Sequence, residues 1–313
     1  MIRRFLDYIA IEKRYSPRTV KEYKDDLCAW CAFLGWEIGE FDPSQLDESD
    51  VKAWMVEMLD RGLSARSVKR RLSAVKSLYK FLLRTGVVRV NITRKVLLPK
   101  ADKPLPVFFR EGEMGAFKSR NALPEYDDGM DRVEWLGMMR DYLLVEVLYQ
   151  TGMRRAELAG LKDSDVDLVA RQIRVLGKRN KERVVPIGDG LADDISAYLA
   201  IKREILDEGC ASGIFLVRKK RNGEWVPLGA GGIYNIVRAR MGEVSTLKKH
   251  SPHVLRHTFA TTMLNNGADI RTIQSILGHS SLAATQVYTH ASFEQAKKVY
   301  ELAHPRGKKG KDE

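Results

Sequence analysis

Cationic, imidazole and phenolic side chains recur in four short segments in the second half of the chain. These segments are Thr151–Leu158, the turn that carries Lys178, His253–His257, and Leu277–His279 with Tyr288 nine residues further on. Six of their side chains have types that suit chemistry on an anion: Arg154, Lys178, His253, Arg256, His279 and Tyr288. Because none of them needs to be negatively charged at neutral pH, the set predicts a site for a phosphodiester.

Each of these residue types has a distinct use on a phosphodiester. Two guanidinium groups can hold both non-bridging oxygens and offset the charge of a five-coordinate transition state. A histidine can donate to the same oxygens or shuttle a proton, and a tyrosine hydroxyl can be the covalent nucleophile. A lysine beside a duplex can protonate the leaving sugar hydroxyl. Together they predict strand cleavage that needs no metal ion and no other cofactor.

Five of the six histidines of the chain lie between residues 250 and 290, so a metal site must also be weighed. His253 and His257 are one helical turn apart, but Val254 stands where the zinc-binding H-E-x-x-H pattern has glutamate. No carboxylate lies between Glu243 and Asp269. The sequence therefore favours a site without metal, and two unrelated histidines on one helix remain the alternative.

The cysteines and the start of the chain bear on the compartment. Cys28, Cys31 and Cys210 are too few for the disulfide framework of a secreted protein. The first two form a C-x-x-C pattern, but they lie in an apolar helical pattern with no second ligand pair nearby. Asp7 comes too early for a signal peptide, and no apolar run approaches the roughly 20 residues of a membrane span. We expect a cytoplasmic, nucleoid-associated protein with no membrane partner.

The order and spacing of the segments resemble the tyrosine recombinase (phage-integrase-like) family, and most closely its Xer-type site-specific recombinases. The matching blocks are residues 15–19 (YSPRT), 151–158 (TGMRRAEL), 177–186 (GKRNKERVVP), 253–260 (HVLRHTFA), 277–279 (LGH) and 287–290 (VYTH). The spacings are 24 residues from Arg154 to Lys178, 23 from Arg256 to His279 and nine from His279 to Tyr288. A match to one block alone is weak evidence for the family, whereas matches to all six blocks in this order are specific for it.

The resemblance implies a role for each candidate residue. Arg154 falls on the first arginine of the family, Lys178 on the β-hairpin lysine, His253 and Arg256 on the H-x-x-R pair, His279 on the second histidine and Tyr288 on the nucleophile. Tyr288 would form a 3′-phosphotyrosyl link, and the freed 5′-hydroxyl would attack the phosphotyrosine of a partner strand. Two such exchanges pass through a Holliday junction, and the covalent link conserves the phosphodiester energy without ATP or metal.

The resemblance also implies the architecture and the partners. The fold class would be mainly α, with an N-terminal four-helix core-binding (SAM-like) domain and an α-rich catalytic domain that contains a small β-sheet. The two domains would clamp double-stranded DNA, and four protomers would assemble on two recombination sites. A second recombinase and an activating DNA translocase are further possible partners. The sequence does not separate chromosome-dimer resolution from integration or inversion of a mobile element.

Apolar periodicity and capping residues define the N-terminal helices. We expect a helix near residues 2–13, a second one after Ser16 and Pro17, and a third one that begins at Asp47 or Ser49. The fourth helix should run from Ser64 to a stop at Gly86. Its outer face carries five positive charges and no acid, which suits a phosphate backbone better than plain solvent. The predicted DNA contacts on this face are Arg66, Lys69, Arg70, Ser73, Lys76 and Lys80.

Charge and proline content suggest where the domains end. The 53 Lys and Arg against 41 Asp and Glu give a net charge of +12, which points first to nucleic acid and second to an anionic membrane surface. Residues 1–99 and the remainder each carry +6 of it. Three prolines and three lysines between residues 91 and 106 predict a basic linker. The predicted parts are residues 1–90, the linker 91–106, a catalytic domain 107–304 and a mobile tail 305–313.

The second domain is predicted to be α-rich with one hairpin. The expected strands are Gln172–Leu176 and Glu182–Ile187, and the expected helices cover Val133–Tyr149 and residues 190–208, 230–241, 253–266, 269–277, 281–288 and 292–302. The last helix has an apolar stripe of Phe293, Ala296, Val299 and Tyr300. That stripe would dock on a neighbouring protomer, as in the family, or pack on its own chain.

Three features depart from the family pattern or lack a role. Arg155 follows the first candidate arginine where many relatives have a small or apolar residue, and it is either a phosphate contact or a surface charge. Residues 119–134 are longer than usual, and we interpret them as a surface loop. His257 matches the family, but the residues alone suggest only that it braces the site.

Two other functions use parts of the same pattern. A type IB topoisomerase-like enzyme shares the Arg, Lys, Arg, His and Tyr set, but the helical N-terminal domain and the Xer-like spacings argue against it. A DNA-binding protein that has lost catalysis is the rival from another class. Because all six chemical positions are filled, we expect an enzyme.

Overall fold

The computed structural model describes residues 1–99, 107–121, 129–177, 181–206, 213–278 and 290–307. The chain divides into two compact units, Met1–Pro104 and Leu105–Glu313. Helices dominate both, and the described strands form a three-stranded and a two-stranded antiparallel sheet in the second unit. The predicted mainly α fold class is confirmed. Within the described ranges, no helix is both long enough and apolar enough to cross a membrane.

The first unit is a small helical bundle. Its elements are α1 (Ile2–Asp7) with a π-helical continuation (Tyr8–Glu12), α2 (Pro17–Phe33), a 3-10 turn (Pro43–Gln45), α3 (Glu48–Asp60) and α4 (Ala65–Arg84). The helix starts follow the expected caps, since Ser16, Asp47 and Ser64 each accept a backbone hydrogen bond from the first turn. The inner faces of these helices bury Trp30 and Tyr79 completely.

The predicted linker begins too early at residue 91. Thr93 and Val96 are buried, and Val96 belongs to the core of the first unit. Lys76 on α4 donates to the carbonyl oxygen of Val96 at 3.1 Å. The apolar side chains in this segment therefore fasten it to the helices, although its prolines and lysines are typical of a linker. Residues 100–106 lie outside the described part of the chain.

The second unit is built around a central helix. Its helices are α5 (Glu111–Arg120), α6 (Arg132–Thr151), α7 (Arg155–Ala159), α8 (Asp189–Ile205), α9 (Ala230–Gly242), α10 (Pro252–Asn265), α11 (Ile270–Leu277) and α12 (His290–Ala303), and a 3-10 turn covers Asp163–Asp165. Every residue from Tyr142 to Thr151 of α6 is buried. The central helix therefore presents its C-terminal end, and not an exposed face, to the candidate site.

The second unit also contains two small sheets, of which the two-stranded one contacts the central helix through β4. The strands are β1 (Val166–Asp167), β2 (Gln172–Leu176) and β3 (Glu182–Pro186) in one sheet, and β4 (Val217–Lys219) and β5 (Trp225–Pro227) in the other. β2 and β3 confirm the predicted antiparallel hairpin, with Ile173 opposite Val185. The pattern did not predict β1, β4 and β5, because strands of two or three residues are too short to show alternation.

The segment that we interpreted as a loop over residues 119–134 is helical at both ends. Ser119 and Arg120 complete α5, and the guanidinium of Arg120 donates to the backbone oxygen of Glu243 at 2.8 Å. Asp131 then caps α6 by accepting hydrogen bonds from two backbone N–H groups. Residues 122–128 lie outside the described chain.

The last helix packs on its own chain. Ala296 and Tyr300 of α12 are buried in the core of the second unit, and Phe293 and Val299 are half-buried. The tail that we expected to be mobile from residue 305 also begins later. Arg306 forms an ion pair with the buried Glu146 and donates to the backbone oxygen of Met114. The predicted helix over 281–288 and the tail residues 308–313 lie outside the described ranges.

Candidate active site

The C-terminal end of α6 forms one wall of the candidate site. Gly152 ends the helix in the left-handed conformation, with φ of +59°. A Cβ added to this glycine would lie 2.6 Å from the side chain of Leu277 and 2.7 Å from that of Phe259. Only glycine fits here, because the turn needs a positive φ and because α10 and α11 pack directly on its backbone.

Arg154 leaves this turn and precedes α7. Its guanidinium donates to Glu157 Oε1 at 2.9 Å and to the backbone oxygen of Gly278 at 3.3 Å. Its backbone N–H donates to the other oxygen of Glu157 at 2.7 Å. The side chain keeps 44% of its surface exposed. One face of this guanidinium is thus held by the protein while the side chain stays accessible to a phosphate.

Arg256 approaches the same point from α10 and is almost fully buried. Its Nη1 donates to the backbone oxygen of Gly152 at 2.7 Å, and its Nη2 donates to that of Leu277 at 2.8 Å. Burial, followed by the positive charges of Arg154 and Arg183, lowers the pKa of Arg256 to about 10. The group therefore remains a cation at neutral pH.

Arg183 on β3 completes an arginine cluster at the end of α11. The backbone oxygens of Ile276, Leu277 and Gly278 accept hydrogen bonds from Arg183, Arg256 and Arg154, respectively. Carbonyls at a helix C-terminus lack partners within the helix and carry partial negative charge. Three guanidinium groups from three different elements converge there, which fixes the helix end from which the chain continues to His279.

Glu157 and Arg183 were not predicted as site residues. Arg183 donates to both carboxylate oxygens of Glu157, at 3.0 and 2.8 Å. Burial opposes the ionisation of Glu157, but the hydrogen bonds and charges of Arg183 and the hydrogen bonds of Arg154 outweigh it and lower its pKa. The signal was present in the sequence: the alternation of β3 places a charged residue on the buried face, and such residues need a partner.

The two histidines of the H-x-x-R-H block lie side by side on α10. The rings of His253 and His257 are 4.5 Å apart in an edge-to-face arrangement. Burial, with smaller contributions from the charges of His257, Arg256 and Lys249, lowers the pKa of His253. His253 is therefore neutral at physiological pH.

Arg155, which follows Arg154 in the sequence, lies over the ring of Tyr234 at 5.9 Å, as expected for a packed cation rather than for a bare surface charge.

Three of the six candidate residues, Lys178, His279 and Tyr288, lie outside the described part of the chain. The described neighbours Gly177 and Gly278 directly precede Lys178 and His279 in the sequence. The structure brings Arg154, Arg256 and the end of α11 together and locates His253 on α10, the helix that carries Arg256. Among the described residues, no group of three or more His, Cys, Asp and Glu side chains is arranged to hold a metal ion.

The predicted DNA-contact face lies along α4 in the first unit. Arg66, Lys69, Arg70, Ser73 and Lys80 are exposed, and Lys76 is half-buried. Arg70 differs from its neighbours because both terminal nitrogens donate to the buried Asp26 on α2, at 2.6 and 2.8 Å. Ser73 donates back to the carbonyl of Lys69. The face is therefore less purely cationic than its sequence indicated.

Two family models cover most of the chain. Residues 130–295 match the phage integrase family, and residues 2–86 match the phage integrase N-terminal SAM-like domain. The chain belongs to the phage integrase family. The chain is 35% identical to the tyrosine recombinase XerC of Chlorobaculum parvum, over 96% of its own length and 93% of that relative. It is 39% identical to the tyrosine recombinase XerC of Bacillus licheniformis, over 98% and 97% of the two chains.

Solved structures share the fold of this chain. The Tn1549 transposon integrase in complex with transposon right end DNA matches with a TM-score of 0.66 at 20% identity, over 93% of this chain and 97% of that one. A lambda integrase dimer bound to a COC′ core site matches with a TM-score of 0.62 at 19% identity, over 91% and 98%. The predicted family, fold class and tyrosine recombinase activity are confirmed, and the roles of individual residues stay predictions.

Proposed function

We propose that this protein is a site-specific DNA recombinase that cleaves through Tyr288 and rejoins strands through a Holliday junction. The observation that carries the proposal is the arginine cluster at the end of α11. Arg154, Arg183 and Arg256 converge there with Glu157, so the described part of the cluster has a net charge of +2. Gly278 caps this helix, and His279 is the residue after it.

This charge suits the reaction coordinate of phosphoryl transfer. A phosphodiester carries one negative charge, and its five-coordinate transition state concentrates more charge on the non-bridging oxygens. Fixed cations near these oxygens stabilise the transition state more than the ground state, which is the condition for catalysis. We assign this role to Arg154 and Arg256. Glu157 orients Arg154 and limits the excess of positive charge.

The remaining candidate residues would divide the proton transfers and the covalent step. Tyr288 Oη attacks phosphorus, the P–O5′ bond breaks, and the product is a 3′-phosphotyrosyl link with a free 5′-hydroxyl. Lys178 protonates the departing 5′ oxygen. His253, whose pKa is lowered by burial, accepts the proton that Tyr288 Oη loses in the attack. His279 donates to the phosphate oxygens.

The partners follow from the same reaction. The substrate is a double-stranded DNA recombination site, contacted in part by the exposed cations of α4. Strand exchange needs two sites, and we propose that four protomers assemble on them, with a second recombinase or an activating DNA translocase as possible additional partners. Relatives of nearly equal length are named tyrosine recombinase XerC, which supports site-specific recombination as the reaction.

A suicide substrate nicked beside the scissile phosphate tests the proposal. The wild-type protein should form a covalent adduct that survives denaturation, because the short cleaved strand diffuses away before religation. Tyr288→Phe should form none, whereas the matched control Tyr234→Phe on α9 should behave as wild type. An adduct that persists in Tyr288→Phe would show that another residue is the nucleophile.

The same assay tests the predicted independence from metal. We expect adduct formation at an unchanged rate in EDTA, since the fixed cations of the site replace a metal ion at the phosphate. A rate that falls in EDTA and returns with added Mg²⁺ would contradict this mechanism.

A further inference from the structure

Arg183 occupies a strand position at which an apolar side chain would be the simpler choice. It lies opposite Val175 in the β2–β3 pair and shares the inner face of the sheet with Val185. Its side chain is only 6% exposed. A buried ion pair is frequently no more stabilising than apolar residues of similar volume. Stability alone therefore does not account for an arginine at this position.

The guanidinium of Arg183 joins three elements. Its two terminal nitrogens bind the carboxylate of Glu157 at the start of α7, and its Nε donates to the backbone oxygen of Ile276 near the end of α11, at 2.8 Å. Glu157 in turn holds both the backbone and the guanidinium of Arg154. A change in the position of Arg183 would thus be transmitted to Arg154 through one shared carboxylate.

Arg183 also packs on the backbone that leads to two further candidate residues. A Cβ added to Gly278, the residue before His279, would lie 3.1 Å from Cδ of Arg183. A Cβ added to Gly177, the residue before Lys178, would lie 3.6 Å from its Nη1. Because both residues are glycines, the Arg183 side chain can lie close to the backbone directly before Lys178 and directly before His279.

We propose that Arg183 is a positioning residue of the strand-cleavage reaction. It sets the relative positions of the Arg154 guanidinium, the end of α11 before His279, and the base of the hairpin before Lys178. Arg183 is not assigned a contact with the phosphate, and it acts through Glu157 and the helix end. This inference rests on the proposed function, because it assigns the geometry of that same site.

The planar fork of arginine is what this role requires. Arginine presents fixed donors that can bind two carboxylate oxygens and a third acceptor at once, whereas lysine presents a compact charge on a flexible stem. Arg183→Lys therefore keeps the positive charge and loses the geometry. Glu157→Gln keeps the shape and loses the charge that both arginines share. Both variants should misplace Arg154 without removing it.

The test measures single-turnover cleavage of the suicide substrate, DNA affinity and Tm for each variant. Because a misplacement of about 1 Å costs roughly 100-fold in rate, we expect Arg183→Lys and Glu157→Gln to cleave roughly 100-fold more slowly, with DNA affinity within about threefold of wild type. The matched control is Lys202→Met. It breaks another ion pair of this unit, in which the buried Lys202 on α8 bonds Asp163 at 2.7 Å, and well below its Tm it should cleave as wild type does.

A double variant separates positioning from folding. If Arg183 acts through Arg154, Arg154→Lys combined with Arg183→Lys should be nearly as slow as Arg154→Lys alone. Multiplicative losses in the double variant would overturn the inference. So would cleavage within threefold of wild type in both single variants, or a loss that Lys202→Met reproduces at the same fall in Tm. A wild-type protein that forms no adduct would instead refute the proposed function.

Discussion

Arg256 shows how a single buried cation can be held ready for an anion. Two of its nitrogens donate to the carbonyl oxygens of Gly152 and Leu277, and neither partner neutralises its charge. Hydrogen bonds to neutral carbonyls replace those to water but leave the positive charge uncompensated. A buried cation of this kind is therefore stabilised when an anion binds beside it. A scissile phosphate is such an anion, which links the burial of Arg256 to its proposed role.

We predict that Arg256→Lys loses cleavage and retains DNA binding. Lysine keeps the charge but cannot bind both carbonyls and present a fork to the phosphate, and removal of one such donor typically slows catalysis about 100- to 1,000-fold. DNA affinity should change less than about threefold, since many other phosphate contacts support it. Single-turnover cleavage and titration on the same DNA measure both quantities. Arg240→Lys on α9 is the control, and equal losses of affinity and rate in Arg256→Lys would contradict the role.

At the level of elements, the end of α6 depends on a glycine that meets two neighbouring helices. We predict that Gly152→Ala destabilises the protein far more than Gly86→Ala, although φ is positive at both positions, +59° and +72°. A left-handed alanine costs about 1–2 kcal/mol at either site. Overpacking against Phe259 and Leu277 adds about 1–3 kcal/mol at Gly152 only, since a Cβ at Gly86 meets no atom within 4 Å.

Urea unfolding of both glycine variants measures this contrast. The change in the free energy of unfolding of each variant is calculated with one m-value for all the proteins. Equal destabilisation of the two would mean that α6 does not pack against α10 and α11 as described. The Gly152 variant should also cleave more slowly below its Tm, because its carbonyl is a partner of Arg256.

The packing of α12 on its own chain predicts a pH dependence of stability. His304 is buried against aromatic rings that include those of Tyr149 and Tyr300. This burial lowers its pKa to about 3. In the unfolded chain its pKa is about 6.5. Between these values the unfolded state binds a proton that the folded state does not, so stability falls as the pH falls below about 6.5. At pH 5.0 the loss should be about 2 kcal/mol.

Comparison with His304→Phe isolates this contribution from that of the carboxylates. We expect the free energy of unfolding to fall by about 2 kcal/mol more in wild type than in the variant when the pH is lowered from 7.5 to 5.0. Identical pH dependence in the two proteins would show that His304 is not buried in the folded state.

The elements differ in how far the sequence could predict them. Ser16 and Ser64 start their helices as expected, because a cap is a local interaction that the neighbouring residues determine. Arg154 and Arg256 were proposed from residue type and spacing, and both reach the end of α11, while their catalytic roles stay predictions. The ion pair of Glu157 with Arg183 could not be predicted from the sequence, because it joins α7 to a strand 26 residues away. The fold alone decides which buried charges meet. The self-packing of Tyr300 was likewise one of two alternatives that an apolar stripe leaves open.

For the whole molecule, the count of basic residues overstates the number of cations available to DNA. The +12 of the chain is divided evenly between residues 1–99 and the rest. Some of the 53 Lys and Arg side chains are paired internally, as Arg183 is with Glu157 in the second unit and Arg70 with Asp26 in the first. Such pairs add nothing to the net charge and offer DNA no unpaired cation. Exposed cations without a described carboxylate partner, such as Lys69, are therefore better candidates for phosphate contacts than the paired ones are.

We predict that Lys69→Ala reduces the salt dependence of DNA binding. Each phosphate contact releases about 0.9 counterion, so the slope of log K against log salt should become shallower by about one unit. Lys52→Ala is the control, because Lys52 on α3 is comparably exposed but pairs with Glu48 at 2.8 Å, and its slope should stay at the wild-type value. Titrations between about 50 and 200 mM salt measure both slopes. If the Lys69 slope equals that of wild type, Lys69 does not contact the DNA backbone, and the charge of the first unit must act through other residues.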